Sequence, residues 1–226
     1  MGGRVQRAGV WLGSVARARE LAASDTRGGA ASGAAGVRWA HAEITLSEGG
    51  AVATGSDSEP MGGGGLRSGA SKVAMRSGHH FAQFTVVEGC NKFFGAIWPS
   101  WDVEGGGNAD NVGGHCFYYT EDAYHCPGAI DWEGMQTANE QGDRIGMLLD
   151  LDQGSMTVWK NDVRLGVMQA QGLRGPLCWA VVLGSSHARI ESAAAPSSPT
   201  EEELAASIAW QEAHHADDDF SDSDDE

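Results

Sequence analysis

Two pairs of adjacent histidine and cysteine residues are the first candidates for chemistry in this chain. His115-Cys116 and His125-Cys126 lie ten residues apart. Zinc binds imidazole nitrogen and thiolate sulfur in a tetrahedral arrangement. Adjacent residues of a strand point to opposite faces, however, so only one member of each pair can face a common ion. Two ligands do not make a structural site, so we predict no metal here and expect buried cysteines beside half-exposed histidines.

Carboxylates at alternate positions suggest a second kind of chemistry. Asp131 with Glu133, and Asp150 with Asp152, are each spaced so that a strand would hold both on one face, as the hydrolysis of a glycoside requires. Asp150 and Asp152 also suit the approach to a turn. The segment Ser185-Ser186-His187 lacks the G-x-S-x-G nucleophile elbow. We therefore predict that the chain is not an enzyme, with no catalytic residues and no cofactor.

Aromatic residues are the more promising candidates, because the chain has eight tryptophans. Trp and Tyr offer rigid contact area and dominate the energetics of protein interfaces. Trp98, Trp101, Tyr119 and Trp132 lie in or beside long loops, where they either contact a ligand or pack the loops onto the body of the protein.

The pattern of apolar residues indicates strands. Residues 145–151 and 155–160 alternate between apolar and other side chains, and residues 163–167 alternate again. Asn161-Asp162 between the last two runs predicts a type I′ hairpin turn, because both residue types tolerate positive φ. Residues 177–183 form an apolar run that suits a strand buried on both faces. An antiparallel meander cannot bury its apolar face alone, so a second sheet is expected.

Further strands are expected upstream of this meander. Residues 44–47 and 51–54 predict a hairpin, and residues 79–88 and 93–98 predict two longer strands. Residues 56–71 are glycine-rich and predict a loop, and residues 72–75 are a candidate strand.

Several short motifs follow one another along the chain. They are Ile44-Thr45-Leu46-Ser47, Gly78-His79-His80-Phe81-Ala82, Gly142-Asp143-Arg144-Ile145-Gly146, Leu149-Asp150-Leu151-Asp152, Trp159-Lys160-Asn161, Leu165-Gly166 and Leu173-Arg174-Gly175-Pro176-Leu177. In this order they resemble a SPRY (B30.2-like) domain. Asp162 departs from the family's pattern, which usually has Gly there, and Cys178-Trp179 stands where an aromatic residue followed by Pro is common. The resemblance implies an all-β fold, a two-sheet antiparallel β-sandwich of the concanavalin-like jelly-roll type, over residues 37–192.

The resemblance also implies a function. SPRY domains are non-enzymatic modules of protein–protein interaction whose ligand surface is formed by loops at one edge of the sandwich. By resemblance, these loops are residues 56–71, 100–114, 120–141 and 184–187. We therefore expect recognition of a protein or short peptide, as a substrate-recognition or scaffold component. The candidate ligand-binding residues are Trp98, Trp101, Asp102, Tyr119, Trp132 and Ser185.

A lectin-like sandwich remains the alternative. Concanavalin-like lectins share the architecture and bind calcium in a loop. Asp102, Asn108, Asp110 and Asn111 are hard oxygen donors within residues 100–114, although the EF-hand spacing is absent. Such a protein would bind a glycan with calcium in this loop.

Charge and cysteine usage narrow the class of partner. The formal net charge of −16 argues against nucleic acid, whose binders show a basic surface. We find no apolar window long enough to span a membrane, so no membrane partner is expected. Four cysteines without a CxxC pair, together with the lack of a convincing signal peptide, predict free thiols in the cytoplasm or nucleus. A monomer is expected.

The terminal segments differ in composition from the body. Residues 1–36 are basic and predict a disordered or weakly helical leader, with organelle targeting as an alternative. Residues 193–199 predict a linker, and residues 200–215 predict a short helix opened by a capping box. Residues 216–226 form an acidic tail, expected to be disordered, in which Ser221 and Ser223 have the acidic spacing of casein kinase 2 sites.

Overall fold

The computed structural model describes residues 37–55, 65–105 and 108–215, and the side chains of 40–55, 65–105 and 108–214. The leader, the acidic tail and both candidate phosphorylation sites lie outside these residues. Among the described residues, thirteen strands form two antiparallel sheets. The strands are β1 (Val37–Ala40), β2 (Thr45–Ser47), β3 (Val52–Thr54), β4 (Arg67–Ser71), β5 (His79–Gly89), β6 (Lys92–Ile97), β7 (Cys116–Tyr119), β8 (His125–Cys126), β9 (Arg144–Asp150), β10 (Ser155–Lys160), β11 (Val163–Gln169), β12 (Cys178–Leu183) and β13 (Ser186–Ser192).

One sheet has the strand order β1-β4-β12-β6-β7-β8, and the other has the order β11-β10-β9-β5-β13-β3-β2. The core lies between them. Phe84 of the second sheet stacks on Phe94 of the first, with ring centroids 5.0 Å apart. Trp179 of β12 meets Phe84 edge-on. Burial of such apolar surface is the main favourable contribution to folding. The two-sheet β-sandwich that the sequence predicts is confirmed.

The meander of β9, β10 and β11 follows the alternation that predicted it. β9 pairs with β10 in register from Ile145 opposite Lys160 to Asp150 opposite Ser155. Asn161 and Asp162 have φ of 49° and 69° in the turn, as a type I′ hairpin requires. Met147 and Leu149 of β9 face the core, as the alternation indicates.

Strand β12 is buried on both faces. Trp179, Val181 and Leu183 belong to the core between the sheets. Cys178 and Val182 belong to a second apolar cluster on the outer face of the same sheet, which is covered by residues of the long loop that follows β6. This explains why the sequence of β12 is apolar without alternation.

The region of β4 corrects two predictions. The sequence predicts a strand over residues 72–75, and the structure instead has β4 at Arg67–Ser71, inside the predicted glycine-rich loop. The run Arg67-Ser68-Gly69-Ala70-Ser71 has small residues and no apolar alternation. It is a strand because β1 and β12 pair on either side of it, so neighbouring strands supply what the local sequence lacks.

A helix, α1 (Glu201–His215), follows the last strand, as the sequence predicts. Its capping box is formed: the backbone N–H of Glu203 donates to Thr200 Oγ1 at 3.2 Å, and Glu203 accepts from the N–H of Thr200 at 2.7 Å. We call residues 193–215 the C-terminal strap, because α1 packs against the edge strand β11. Ser207 donates a hydrogen bond to the carbonyl of Val167 at 3.0 Å. Within the described residues, no helix is long and apolar enough to cross a membrane.

Candidate functional site

Strand register brings several loops to one end of the sandwich. Lys92 at the start of β6 lies opposite Leu183 at the end of β12, and Phe93 lies opposite Tyr119 at the end of β7. In the other sheet, the last residue of β5, Gly89, lies opposite Ser186 at the start of β13. Segments 89–91, 120–122 and 184–186 therefore meet at this end. We call them the Asn91 surface.

Asn91 is the centre of the hydrogen bonds on this surface. Its carbonyl accepts from the N–H of Gly184 at 3.0 Å. Its own N–H donates to Glu121 Oε1 at 2.7 Å. The hydroxyl of Tyr119 lies 2.9 Å from Asn91 Oδ1 and 2.8 Å from Glu121 Oε2, so its single proton has two acceptors. Residues from three loops are thereby held in one arrangement.

Close backbone approach holds the same end together. A Cβ on Gly55 would overlap the carbonyl oxygen of Gly184. Gly89 has a φ of +83°, and a Cβ there would come within 2.6 Å of Ser186 Cα. Side chains are excluded at both positions by this contact between backbones, so glycine is required.

The charge of the Asn91 surface is mainly acidic. Glu88 and Asp122 are exposed, and Glu121 is half-buried. Lys92 is buried and bonds to the carbonyl of Gly89, and burial lowers the pKa of its ammonium despite the opposing attraction of Cys90 and Glu121. Its positive charge is therefore directed into the protein and not presented to a ligand.

Tyr119 is a hydrogen-bond donor under ordinary conditions. Burial, together with its hydrogen bond to the Glu121 carboxylate, raises the pKa of its phenol well above the usual value. Ser185 is exposed in the adjacent turn between β12 and β13. Of the six candidate ligand residues, the fold brings these two together, but Tyr119 is itself buried and only Ser185 is exposed.

Trp98 and Trp101 lie at the opposite end of β6. Ile97, the last residue of β6, pairs with Cys178 at the start of β12. A strand of this length separates its two ends by roughly 17 Å. The two indoles meet the ring of His115 edge-on, with centroids 5.0 and 5.1 Å away. Because they lie at the other end of β6, the two indoles do not share a surface with Tyr119 and Ser185. Trp98 is 40% exposed and Trp101 is half-buried.

Trp132 belongs to the core. It is 1% exposed, and its Nε1 donates to the carbonyl of Ala123 at 2.7 Å. The segment between β8 and β9 closes the space between the two sheets with this ring, which is why an aromatic residue stands in an otherwise irregular stretch. A buried indole cannot contact a ligand, so Trp132 is corrected from a ligand candidate to a packing residue.

The long loop after β6 covers the outer face of its own sheet. Val103 and Ala109 pack on the second apolar cluster, and His41 pairs with Glu104 at 3.7 Å. Asp102 is exposed and accepts from the N–H of Glu104. The sequence predicted that four loops share one edge of the sandwich. This loop instead begins at the end of β6 away from the Asn91 surface and covers the outer face of its sheet, so it does not share that edge.

The calcium donors of this loop differ in environment. Asp110 is buried, and burial raises the pKa of its carboxyl group. Its Oδ1 has no hydrogen-bond partner among the described residues. Within those residues, Asp102 and Asp110 belong to no group of three His, Cys, Asp or Glu side chains close enough to share an ion. The lectin alternative stays a prediction.

Both members of each His-Cys pair are buried, so the expectation of buried cysteines is confirmed and that of half-exposed histidines is wrong. Burial raises the pKa of the Cys116 thiol above its usual range and that of Cys126 to about 12, so both remain thiols at neutral pH. Burial lowers the pKa of His125 to about 4. Neither ring nitrogen of His125 has a hydrogen-bond partner among the described residues, which makes it an uncharged core residue.

A cluster that no sequence motif indicated lies elsewhere, on the second sheet. His79, Asp150 and Asp152 each offer one ligand atom within 4.8 Å of the others. The spacing of the two aspartates was visible in the sequence. The histidine is 71 residues away and joins them only because β5 pairs with β9, with His79 opposite Asp150.

Comparison with known proteins identifies the fold. No family model and no curated protein matches the sequence. Among solved structures, the chain is similar to the SPRY domain of human HERC1 (17% identity, TM-score 0.54, 68% of this chain and 94% of that chain). It is also similar to a human SPRY domain (15%, 0.52, 68% and 98%) and to the TRIM65 PSpry domain (18%, 0.50, 70% and 87%). The fold is that of a SPRY domain, so the fold implied by the resemblance in sequence is confirmed.

Proposed function

We propose that this chain is a non-enzymatic interaction module that binds a polypeptide segment at the Asn91 surface, as a recognition or scaffold component. The observation that carries the proposal is the convergence of three exposed loops on one hydrogen-bonded centre, Asn91, at one end of a SPRY fold. In the SPRY domains that the sequence resembles, loops at one edge of the sandwich form the ligand surface.

Rigidity is the first argument for a binding role. Loops fixed before a partner arrives lose little conformational entropy on binding. The Asn91 surface has this property, because Tyr119 and Glu121 bond to Asn91 and Gly184 bonds to its carbonyl. Exposed polar backbone and the Ser185 side chain remain available to a partner.

Charge indicates the chemistry of the partner. Glu121 and Asp122 belong to the surface and Glu88 borders it, whereas the ammonium of Lys92 is turned inward. Complementary charge favours association and selects partners. We therefore expect the bound segment to carry lysine or arginine, and the binding to weaken with added salt.

A display library of random peptides, selected against the full chain, tests this proposal. Selected peptides should be enriched in basic residues and should lose binding to the Ser185→Arg variant by about tenfold or more, since the variant adds bulk and positive charge to the turn. Trp98→Ala, at the opposite end of β6, is the matched control and should bind as the unsubstituted chain does.

Three results would contradict the proposal. Selection of no peptide that binds the folded chain would remove the interaction itself. Loss of binding in Trp98→Ala with Ser185→Arg unaffected would move the site to the Trp98 end. Turnover of a selected peptide, with release of fragments, would show catalysis in place of recognition.

A further inference from the structure

The cluster of His79, Asp150 and Asp152 has the composition of a metal site. His79 begins β5, Asp150 ends β9, and Asp152 lies two residues further on in the turn to β10. One ligand atom from each residue lies within 4.8 Å of the others. The site thus joins the start of one central strand to the end of its neighbour.

Asp150 supplies the strongest argument for a bound cation. Its side chain is 1% exposed. Its Oδ1 accepts from the backbone N–H groups of Asp152 and Gln153, both at 3.0 Å. Its Oδ2 has no hydrogen-bond partner among the described residues, although His79 Nε2 lies 3.1 Å from it. A buried carboxylate oxygen needs an N–H donor or a positive charge beside it, and here either the His79 ring or a bound cation can supply it.

The other two side chains are placed to complete such a site. Asp152 Oδ1 accepts from the N–H of Gly78 at 2.8 Å, which orients the carboxylate. His79 is 48% exposed, so its ring is reached by solvent and by an entering ion. Ser198 of the C-terminal strap lies 3.4 Å from the same ring.

We propose that His79, Asp150 and Asp152 bind a divalent transition-metal ion, with zinc the best match. One imidazole nitrogen and two carboxylate oxygens are ligands that zinc accepts, and water would occupy the remaining position of a tetrahedron. Calcium and magnesium prefer oxygen ligands throughout, which the imidazole does not provide. Two aspartates and a neutral histidine balance the charge of the ion. The bound metal would fix the β9–β10 turn to the start of β5.

Zinc titration of the full chain at pH 7 by isothermal calorimetry tests the site, with cobalt absorption as a second readout. His79→Ala removes one ligand, and Asp152→Asn removes another while its amide oxygen still accepts from Gly78. Each should weaken zinc binding by about tenfold or more and reduce the cobalt bands. His80→Ala is the matched control, because adjacent residues of a strand point to opposite faces.

The difference between variants decides the outcome, since the chain also has seven other histidines and an acidic tail to which zinc can bind weakly. Equal zinc affinity in His79→Ala, Asp152→Asn and the unsubstituted chain would overturn the proposal. So would equal weakening by His80→Ala. Circular dichroism of each variant establishes that it is folded.

Discussion

Asn161 Nδ2 donates a hydrogen bond to Asp143 Oδ1 at 2.8 Å. The two residues are 18 positions apart and belong to different motifs. Asn161 also bonds to the neighbour of Asp143, because its Oδ1 accepts from the N–H of Arg144 at 2.9 Å. Lys160 Nζ lies 3.3 Å from the other carboxylate oxygen of Asp143. Two of the motifs that carry the sequence resemblance are therefore one hydrogen-bonded unit that closes the β10–β11 hairpin against the start of β9.

Replacing Asn161 by glycine tests this unit. Glycine retains the positive φ of the turn but removes both side-chain hydrogen bonds, one of them to a carboxylate. We expect the free energy of unfolding to fall by about 2 kcal/mol in urea denaturation. Asp162→Gly is the matched control in the same turn: its side chain makes an exposed ion pair with Arg144, so a change within about 0.5 kcal/mol is expected. Equal effects of the two variants would refute the role of the side chain.

Acid should weaken the same unit. Burial raises the pKa of Asp143, but hydrogen bonds from Asn161 and Glu140 and the charge of Lys160 outweigh it and leave the pKa below the usual value. The folded state therefore favours the carboxylate. Its contribution to stability is present above the unfolded pKa and is lost as the pH falls through the folded pKa. Asn161→Gly should reduce this acid sensitivity in denaturation curves measured between pH 5 and 2.5.

Replacing Gly95 by alanine should destabilise the first sheet. An added Cβ would overlap the carbonyl oxygen of Cys116 and lie 2.8 Å from Phe117 Cα, both in the backbone of β7. Backbone in a central strand cannot move aside, so we expect a loss of about 3 kcal/mol in the free energy of unfolding. In Gly113→Ala the added Cβ meets no atom within 4 Å, and stability should change by about 0.5 kcal/mol or less. Similar stabilities of the two variants would contradict this packing.

His125 should make the fold sensitive to mild acid. Burial lowers its pKa to about 4 in the folded state, against 6.5 for the unperturbed group. Between these values the unfolded chain binds more protons, so stability rises with pH there and is lost as the pH falls. Between pH 7.5 and 5 the expected loss is about 2 kcal/mol.

Urea denaturation of a His125→Leu variant over that pH range measures the effect. The variant should lack this part of the pH dependence, because leucine has no proton to gain. His214→Ala, which changes an exposed histidine of α1, should retain it. A His125→Leu variant with the same pH dependence as the unsubstituted chain would mean that the ring is solvated in the folded state.

Ser207 should hold α1 to the edge strand. Its hydroxyl donates to the carbonyl of Val167 on β11, and Gln211 Nε2 donates to the carbonyl of Met168 at 3.1 Å. A 15-residue helix is marginal in isolation, so its stability depends on this docking. Ser207→Ala should increase amide hydrogen exchange in the helix about fivefold, corresponding to about 1 kcal/mol. Glu212→Gln, on the exposed side, should leave exchange unchanged. No acceleration in Ser207→Ala would show that apolar packing alone fixes the helix.

Local patterns in the sequence predicted the parts of the fold that depend on neighbours in the chain. Alternation identified β9, β10 and β11, the Asn161-Asp162 pair identified their turn, and the Thr200–Glu203 spacing identified the start of α1. Each of these is decided by residues within a few positions of one another, so the amino-acid types are sufficient. The motifs also indicated the correct fold before any partner strand was known.

Tertiary structure decided what depends on strand register and on which face a loop covers. Arg67–Ser71 is a strand only because two distant strands flank it, and Trp132 is a core residue only because its loop closes the gap between the sheets. The same reason separates Trp98 from Tyr119 and joins His79 to Asp150. Distance along the chain does not determine distance across a sheet, because pairing between remote strands sets the position of every side chain.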